Sequence, residues 1–236
     1  MSHHKLVISC EHGGKEVPPS LRDRFQDQES LLDSHRGWDP GALYVAKHFS
    51  ETLAVPLVYQ TISRLVIECN RTQWHPQLFS ELTSSLTPTE KAHWLNQLYY
   101  PYREALQKAL HDRMAQYGRA LHLSSHTMGA EVDGVVRPMD VALLFHPGRP
   151  SEVALCEAWK HRLSIIRPDL LLAFNKPFLG NNDGQVTWLR SMYTDEVYTG
   201  IELELNQKWV GTPEWDALVA AVRQSFTEAM KDLDWS

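Results

Sequence analysis

Strand-length apolar runs that break off into short polar motifs constrain this chain more than any other feature: LVISC runs into EHGG, RLVIEC into NR, LHL into SSH, and GIELEL into NQ. Comparable runs fall at residues 6–10, 56–61, 64–69, 120–125, 141–145, 170–174 and 198–205, with segments of helical periodicity between them. That alternation predicts an α/β domain, a layered sheet with helices on both faces. In open α/β sheets, ligands gather where strands end. The residues placed there are His12 and His126, the carboxylates Glu11, Glu68, Glu202 and Glu204, and the pair Asn70-Arg71. Together they are close to the parts of a zinc hydrolase that anchors a carboxylate-bearing substrate.

The 236 residues are 43% hydrophobic, enough for a sizeable core, and no linker, repeat or low-complexity stretch divides them, so one domain is expected over 1–236. A net charge of -6 argues against nucleic acid as a partner and leaves specific arginines to meet an anionic substrate. No run approaches the roughly 18 apolar residues of a membrane span. The start, MSHHKLVISC, lacks a signal peptide's layout, which predicts a cytoplasmic protein away from membranes. Its His3-His4 pair is too short a tract for a metal. Cys10, Cys69 and Cys156 are odd in number and widely spaced, and read as buried thiols.

DPGALYVAKHFSETL predicts a helix with Asp39 as N-cap and Pro40 in its first position. TPTEKAHWLNQLYYPYREALQKALHDRMAQYG opens on a Thr87 to Glu90 capping box and is kinked or divided at Pro101. Ser151 and Thr212 are candidate caps of two later helices. FLGNNDGQVTWLRSMY reads as a loop over the functional edge of the sheet.

A catalytic zinc site takes three protein ligands and keeps one position open. His12, emerging before Gly13-Gly14, and His126, ending LHLSSH, supply two. For the third, Asp39 competes with Glu16, four residues after His12, and with Glu11, which alternation points to the opposite face from His12. Glu202 and Glu204 share one strand face, so one can act as general base with the other beside it. Asn70-Arg71 offers a guanidinium fork and an amide for a substrate carboxylate, and Arg64, Arg137 and Arg190 are placed to extend that polarity.

CEHGG, HRGWDPGA, SRLVIECNR, SSHTMG, the stretch around Arg137 and Asp140, Asn175 with Pro177, and GIELELNQ occur in an order similar to that of the N-formylglutamate amidohydrolase family, over roughly residues 6 to 210. The resemblance implies a distant kinship with zinc carboxypeptidases and aspartoacylases, hence a three-layer α/β/α domain with a mixed, mostly parallel sheet. It further implies one zinc ion on His12 and His126, a substrate carboxylate on Arg71, and Glu204 or Glu202 as base. Those relatives carry their carboxylate ligand three residues after the first histidine, where this chain has Lys15, so Asp39 and Glu16 remain rivals. The implied activity is hydrolysis of an N-formyl or similar acyl group from an acidic amino acid. The rivals are a metallo-deacylase or carboxypeptidase-like hydrolase with another substrate, and a non-catalytic metal or carboxylate binder. The sequence leaves the oligomeric state open.

Overall fold

The computed structural model describes residues 3–235, so Met1, Ser2 and Ser236, the outermost positions of the expected domain, lie outside the described residues. In chain order the main elements are β1 (Leu6–Cys10), α1 (Glu29–Asp33), α2 (Ala42–Leu53), β2 (Leu57–Tyr59), α3 (Pro88–Trp94), α4 (Tyr100–Tyr117), β3 (Ala120–Met128) and β4 (Glu131–Val132). There follow β5 (Val135–Val136), β6 (Val141–Leu144), α5 (Pro150–Ile166), β7 (Leu172–Phe174), α6 (Gln185–Met192), β8 (Tyr198–Asn206) and α7 (Trp215–Asp232). Six strands form one sheet in the order β2-β1-β3-β8-β6-β7. Every neighbouring pair is parallel except β6 with β8, which gives the mixed, mostly parallel sheet expected.

Alternation along the strands divides the two faces. Leu6, Ile8 and Cys10 of β1, Leu121 and Leu123 of β3, and Ile201, Leu203 and Leu205 of β8 pack with α2, α5 and α7 in the main core. On the opposite face β1, β3 and β8 begin apolar, where Val7, Ala120 and Tyr198 meet Leu106 and Leu110 of α4 and Leu189 of α6, while Ala142 and Leu144 of β6 form a small apolar cluster with Met128. Beyond that layer the same face turns polar. Ser9 follows in β1, His122, Ser124 and His126 in β3, and Glu202 and Glu204 in β8, and the β3–β8 register sets Ser124 opposite Glu202 and His126 opposite Glu204. One face of one sheet therefore changes from core to site within a few residues.

Four local expectations are corrected. Residues 64–69 form turns rather than a strand. Leu65, Val66, Ile67 and Cys69 do bury themselves, but in a separate cluster with Trp94, Tyr99 and Tyr102. The carbonyls of Leu65 and Val66 are satisfied by the Thr83 hydroxyl at 3.2 and 3.1 Å, not by a neighbouring strand. Helix α2 starts at Ala42 with Gly41 before it at φ 88, so Asp39 is not its cap and keeps its carboxylate for other partners. Ser151 and Thr212 do not cap either: Ser151 bonds Asp195 at 2.6 Å, and Thr212 bonds the carbonyl of Trp209 at 2.8 Å. The last correction divides the expected loop, which is irregular to Gly184 and then continues as α6, whose Val186 and Leu189 are fully buried.

The capping box at Thr87 and Glu90 is formed, and the long helical region is divided by a π-helical turn at Leu95–Tyr99, with Pro101 in the first turn of α4. All three cysteines are free and buried. Among the described residues no helix is long and apolar enough to cross a membrane.

Candidate active site

His12 leaves the end of β1 where the backbone passes close to a neighbouring segment; a Cβ at Gly13 would lie 2.9 Å from the carbonyl oxygen of Gln60. Glycine is therefore required there. The amide of Asp39 donates to the His12 carbonyl at 3.0 Å, which brings the HRGWD segment alongside. As a result His12 Nδ1 and His126 Nδ1 lie 3.1 and 2.9 Å from the same Asp39 oxygen, Oδ2. These three buried residues form a cluster able to hold a metal ion.

The partners on the far side of each ring decide what that cluster can do. His12 Nε2 lies 2.6 Å from Glu68 Oε1, and His126 Nε2 lies 2.9 Å from Ser124 Oγ and 3.3 Å from Glu11 Oε2. With each Nε2–H given to these oxygens, both Nδ1 atoms carry lone pairs that point at a carboxylate. Three lone pairs converging in a buried space repel unless a cation lies among them, and two imidazoles with one carboxylate suit zinc. Against the burial that disfavours charge, Asp39 and Glu11 raise the pKa of His126 well above the usual imidazole value, so the local field favours positive charge. The donor set fits one divalent ion.

Around this cluster the carboxylates are fixed by neutral or cationic donors. Glu11 accepts from Ser9, Tyr102 and Ser124, each at 2.8 Å. Arg64 donates to Glu68 at 2.6 Å and reaches Asp39 Oδ1 at 3.5 Å. Glu204 differs, because its Oε2 is buried without a hydrogen-bond partner while the residue lines the cleft in front of the histidines. Burial pushes its carboxyl up to about 7, with Asp39 and Glu202 adding to the rise and His126 opposing it. A carboxylate with that affinity and a free oxygen can exchange a proton near neutral pH.

Of the residues read from the sequence, the fold brings His12, Asp39, His126, Arg64, Asn70, Arg71, Arg137, Glu202 and Glu204 to one cleft. Glu16 is excluded from it: the residue is exposed, with its backbone bridged to Ile62, so it does not compete for a metal. Arg190 is excluded as well. Its guanidinium is buried and consumed by Glu152 at 2.9 Å, the Gly200 carbonyl at 2.8 Å and the Gly180 carbonyl. Asn70 spends its side-chain oxygen on the amide of Gln185 at 2.7 Å, tethering α6 to the cleft.

Sequence reasoning assigned no role to His35 or Asp183, which also line the cleft, and none to the contact of Glu68 with His12. His35 opens the HRGWD motif, which was the available signal. Asp183 sits in a polar loop with no signal of its own.

His122 extends the polar face inward, bonded to Ser9 and to Tyr198 at 2.8 Å each. Burial lowers its pKa to about 4 from the 6.5 of an exposed imidazole. The unfolded chain therefore binds a proton that the folded one refuses, and stability contributed by neutral His122 is complete above pH 6.5 and lost as pH falls from there toward 4. The expected loss is on the order of 1–3 kcal/mol. Urea unfolding of wild type and His122→Gln across this range measures it; parallel pH profiles for the two proteins would refute the assignment.

Comparison with known proteins adds a family. Residues 4–210 match the family model described as N-formylglutamate amidohydrolase. An N-formylglutamate deformylase of Pseudomonas putida is 26% identical over 146 residues, 54% of this chain and 53% of that protein, so the match spans about half the length of the relative. Among solved structures, a gene product of Agrobacterium tumefaciens superposes with a TM-score of 0.83 at 22% identity, covering 98% of this chain and 92% of that one. An N-formylglutamate amidohydrolase of Ralstonia eutropha superposes with a TM-score of 0.66 at 19% identity, covering 97% and 92%. Both share the fold.

Proposed function

Because the chain belongs to the N-formylglutamate amidohydrolase family, we propose that it hydrolyses the amide bond of an N-acyl acidic amino acid, with N-formyl-L-glutamate as the first substrate to test. One observation carries the reading. Arg71 and Arg137 line the same cleft as His12, Asp39, His126 and Glu204, and among the described residues neither guanidinium is paired with a carboxylate. Two unneutralised cations in one cleft suit a ligand with two carboxylates. Arg64, by contrast, is already committed to Glu68 and Asp39.

Zinc held by His12, Asp39 and His126 would polarise the acyl carbonyl and make water a better nucleophile near neutral pH. The protein's own groups do the rest. Glu204, with its free oxygen and raised pKa, takes the proton of the attacking water and returns it to the leaving nitrogen. A carbon–oxygen bond forms, the carbon–nitrogen bond breaks, and the products are formate and the free amino acid. Glu202, two residues earlier on the same face, adds to the rise in the proton affinity of Glu204. Arg71 and Arg137, the latter with its guanidinium 5.1 Å from the Phe178 ring, orient the substrate by its carboxylates.

The purified, zinc-loaded chain is expected to release formate from N-formyl-L-glutamate. Arg71→Lys keeps the charge and loses the bidentate fork, so it lowers kcat/KM about tenfold or more, mainly through KM, with metal content unchanged. No release of free amino acid across a panel of N-formyl and other N-acyl amino acids would end the enzymatic reading. Unaltered kinetics in Arg71→Lys would remove Arg71 from the substrate's binding site.

A further inference from the structure

Arg103 is a buried cation. It lies one turn into α4, is 4% exposed, and pairs with no carboxylate among the described residues. Its guanidinium is sandwiched instead between two aromatic rings, 4.7 Å from Tyr99 and 4.8 Å from Trp188. Its Nη2 donates to the carbonyl of Arg71 at 2.6 Å and to that of Cys69 at 3.4 Å. The Tyr99 hydroxyl donates to the same Arg71 carbonyl at 2.7 Å. Both lone pairs of one backbone oxygen are thus occupied, one of them by a charged donor.

Burying a charge without a counter-ion is costly, and a neutral side chain would fill this space at lower cost. The shorter hydrogen bond of Arg103, at 2.6 Å against 3.4 Å to Cys69, holds the carbonyl of Arg71, the residue whose side chain lines the cleft. We propose that Arg103 and Tyr99 are positioning residues that fix the backbone at Arg71 so that its guanidinium meets the substrate carboxylate. The inference rests on the reading of Arg71 as a carboxylate clamp. The π-helical turn at Leu95–Tyr99 ends on Tyr99, and Arg103 follows four residues later on the same helical face. Trp188 comes from α6, whose first amide is tied to Asn70, so α4 and α6 both hold the Asn70-Arg71 segment. On the cleft side, the Arg71 guanidinium donates to the carbonyl of Asp183. The clamp residue is therefore held at its backbone and at one edge of its fork, leaving the other edge for a ligand.

Arg103→Met removes the charge and both carbonyl hydrogen bonds while keeping much of the bulk. In the zinc-loaded enzyme it should raise KM for N-formyl-L-glutamate about tenfold, with a smaller change in kcat and unchanged zinc content. Arg103→Lys and Tyr99→Phe should raise KM in the same sense but less. The preference for the free acid over its dimethyl ester should fall in step, because a misplaced Arg71 penalises only the carboxylate. The double variant Arg71→Lys, Arg103→Met should be no worse than Arg71→Lys alone. Equal losses on acid and ester, or additive losses in the double variant, would show a merely structural Arg103 and overturn the inference. Should Arg103→Met fail to fold, Tyr99→Phe and Arg103→Lys decide by the same acid-to-ester ratio. If Arg71→Lys is itself silent, the carboxylate-clamp reading fails; if Arg71→Lys raises KM and the Arg103 and Tyr99 variants do not, the clamp stands and the positioning role fails.

Discussion

Glu204→Gln is expected to lower kcat on N-formyl-L-glutamate by roughly 10²–10⁴-fold while the chain still binds one zinc ion. Glutamine matches glutamate in size and can accept a hydrogen bond, but it cannot take a proton. Glu204 has a fully buried oxygen with no hydrogen-bond partner and a carboxyl raised to about 7, whereas Glu11 and Glu68 are saturated by donors. Glu202→Gln should cost less, since it alters the field around Glu204 without removing the acceptor. A greater loss in Glu202→Gln would exchange the two roles. Near-normal kcat in both variants would remove general-base catalysis by this strand altogether.

Asp39→Asn is expected to abolish zinc retention and activity together. The carboxylate Oδ2 lies 3.1 and 2.9 Å from the two imidazole Nδ1 atoms, and an amide there is neutral and a poorer ligand. Chelation of the wild type should remove activity that added zinc restores, and zinc should restore nothing in Asp39→Asn. Glu68→Gln gives a graded result. It weakens the orientation of His12 without removing a ligand and should lower zinc affinity about 10–100-fold, as measured by competition with a chromogenic chelator. Full zinc occupancy in Asp39→Asn would exclude Asp39 as a ligand and leave the two histidines without their carboxylate.

The strands that carry the site were legible because a period of two needs no tertiary information. LHLSSH and GIELEL place His122, Ser124 and His126, and Glu202 and Glu204, on one face each, and the register of β3 with β8 aligns them. RLVIEC carries the same apolar signal and is not a strand. Its carbonyls find side-chain hydroxyls and its side chains find a second core cluster, and apolar residues are as content there as in a sheet. Asp39 before Pro40 has the local pattern of a helix cap, yet Gly41 takes a left-handed conformation and delays the helix to Ala42. Arg137 and Arg190 look equivalent in the sequence. One faces the cleft, and the other is spent on Glu152 and two carbonyls in the interior.

By itself the sequence determined the α/β class, the family, the two histidines and the face on which the late glutamates lie, since each is written in spacing or motif within one short segment. Only the tertiary structure decided that Asp39 and not Glu16 joins the two histidines in one cluster, that Glu68 and Glu11 contact the histidines from behind, and that Arg103 bonds the Arg71 carbonyl. Those contacts join residues far apart in the chain, 27 positions for His12 with Asp39 and 56 for His12 with Glu68. A local period sets the direction of a side chain, but which side chains share a volume depends on where loops close and how strands align, and no short segment records that.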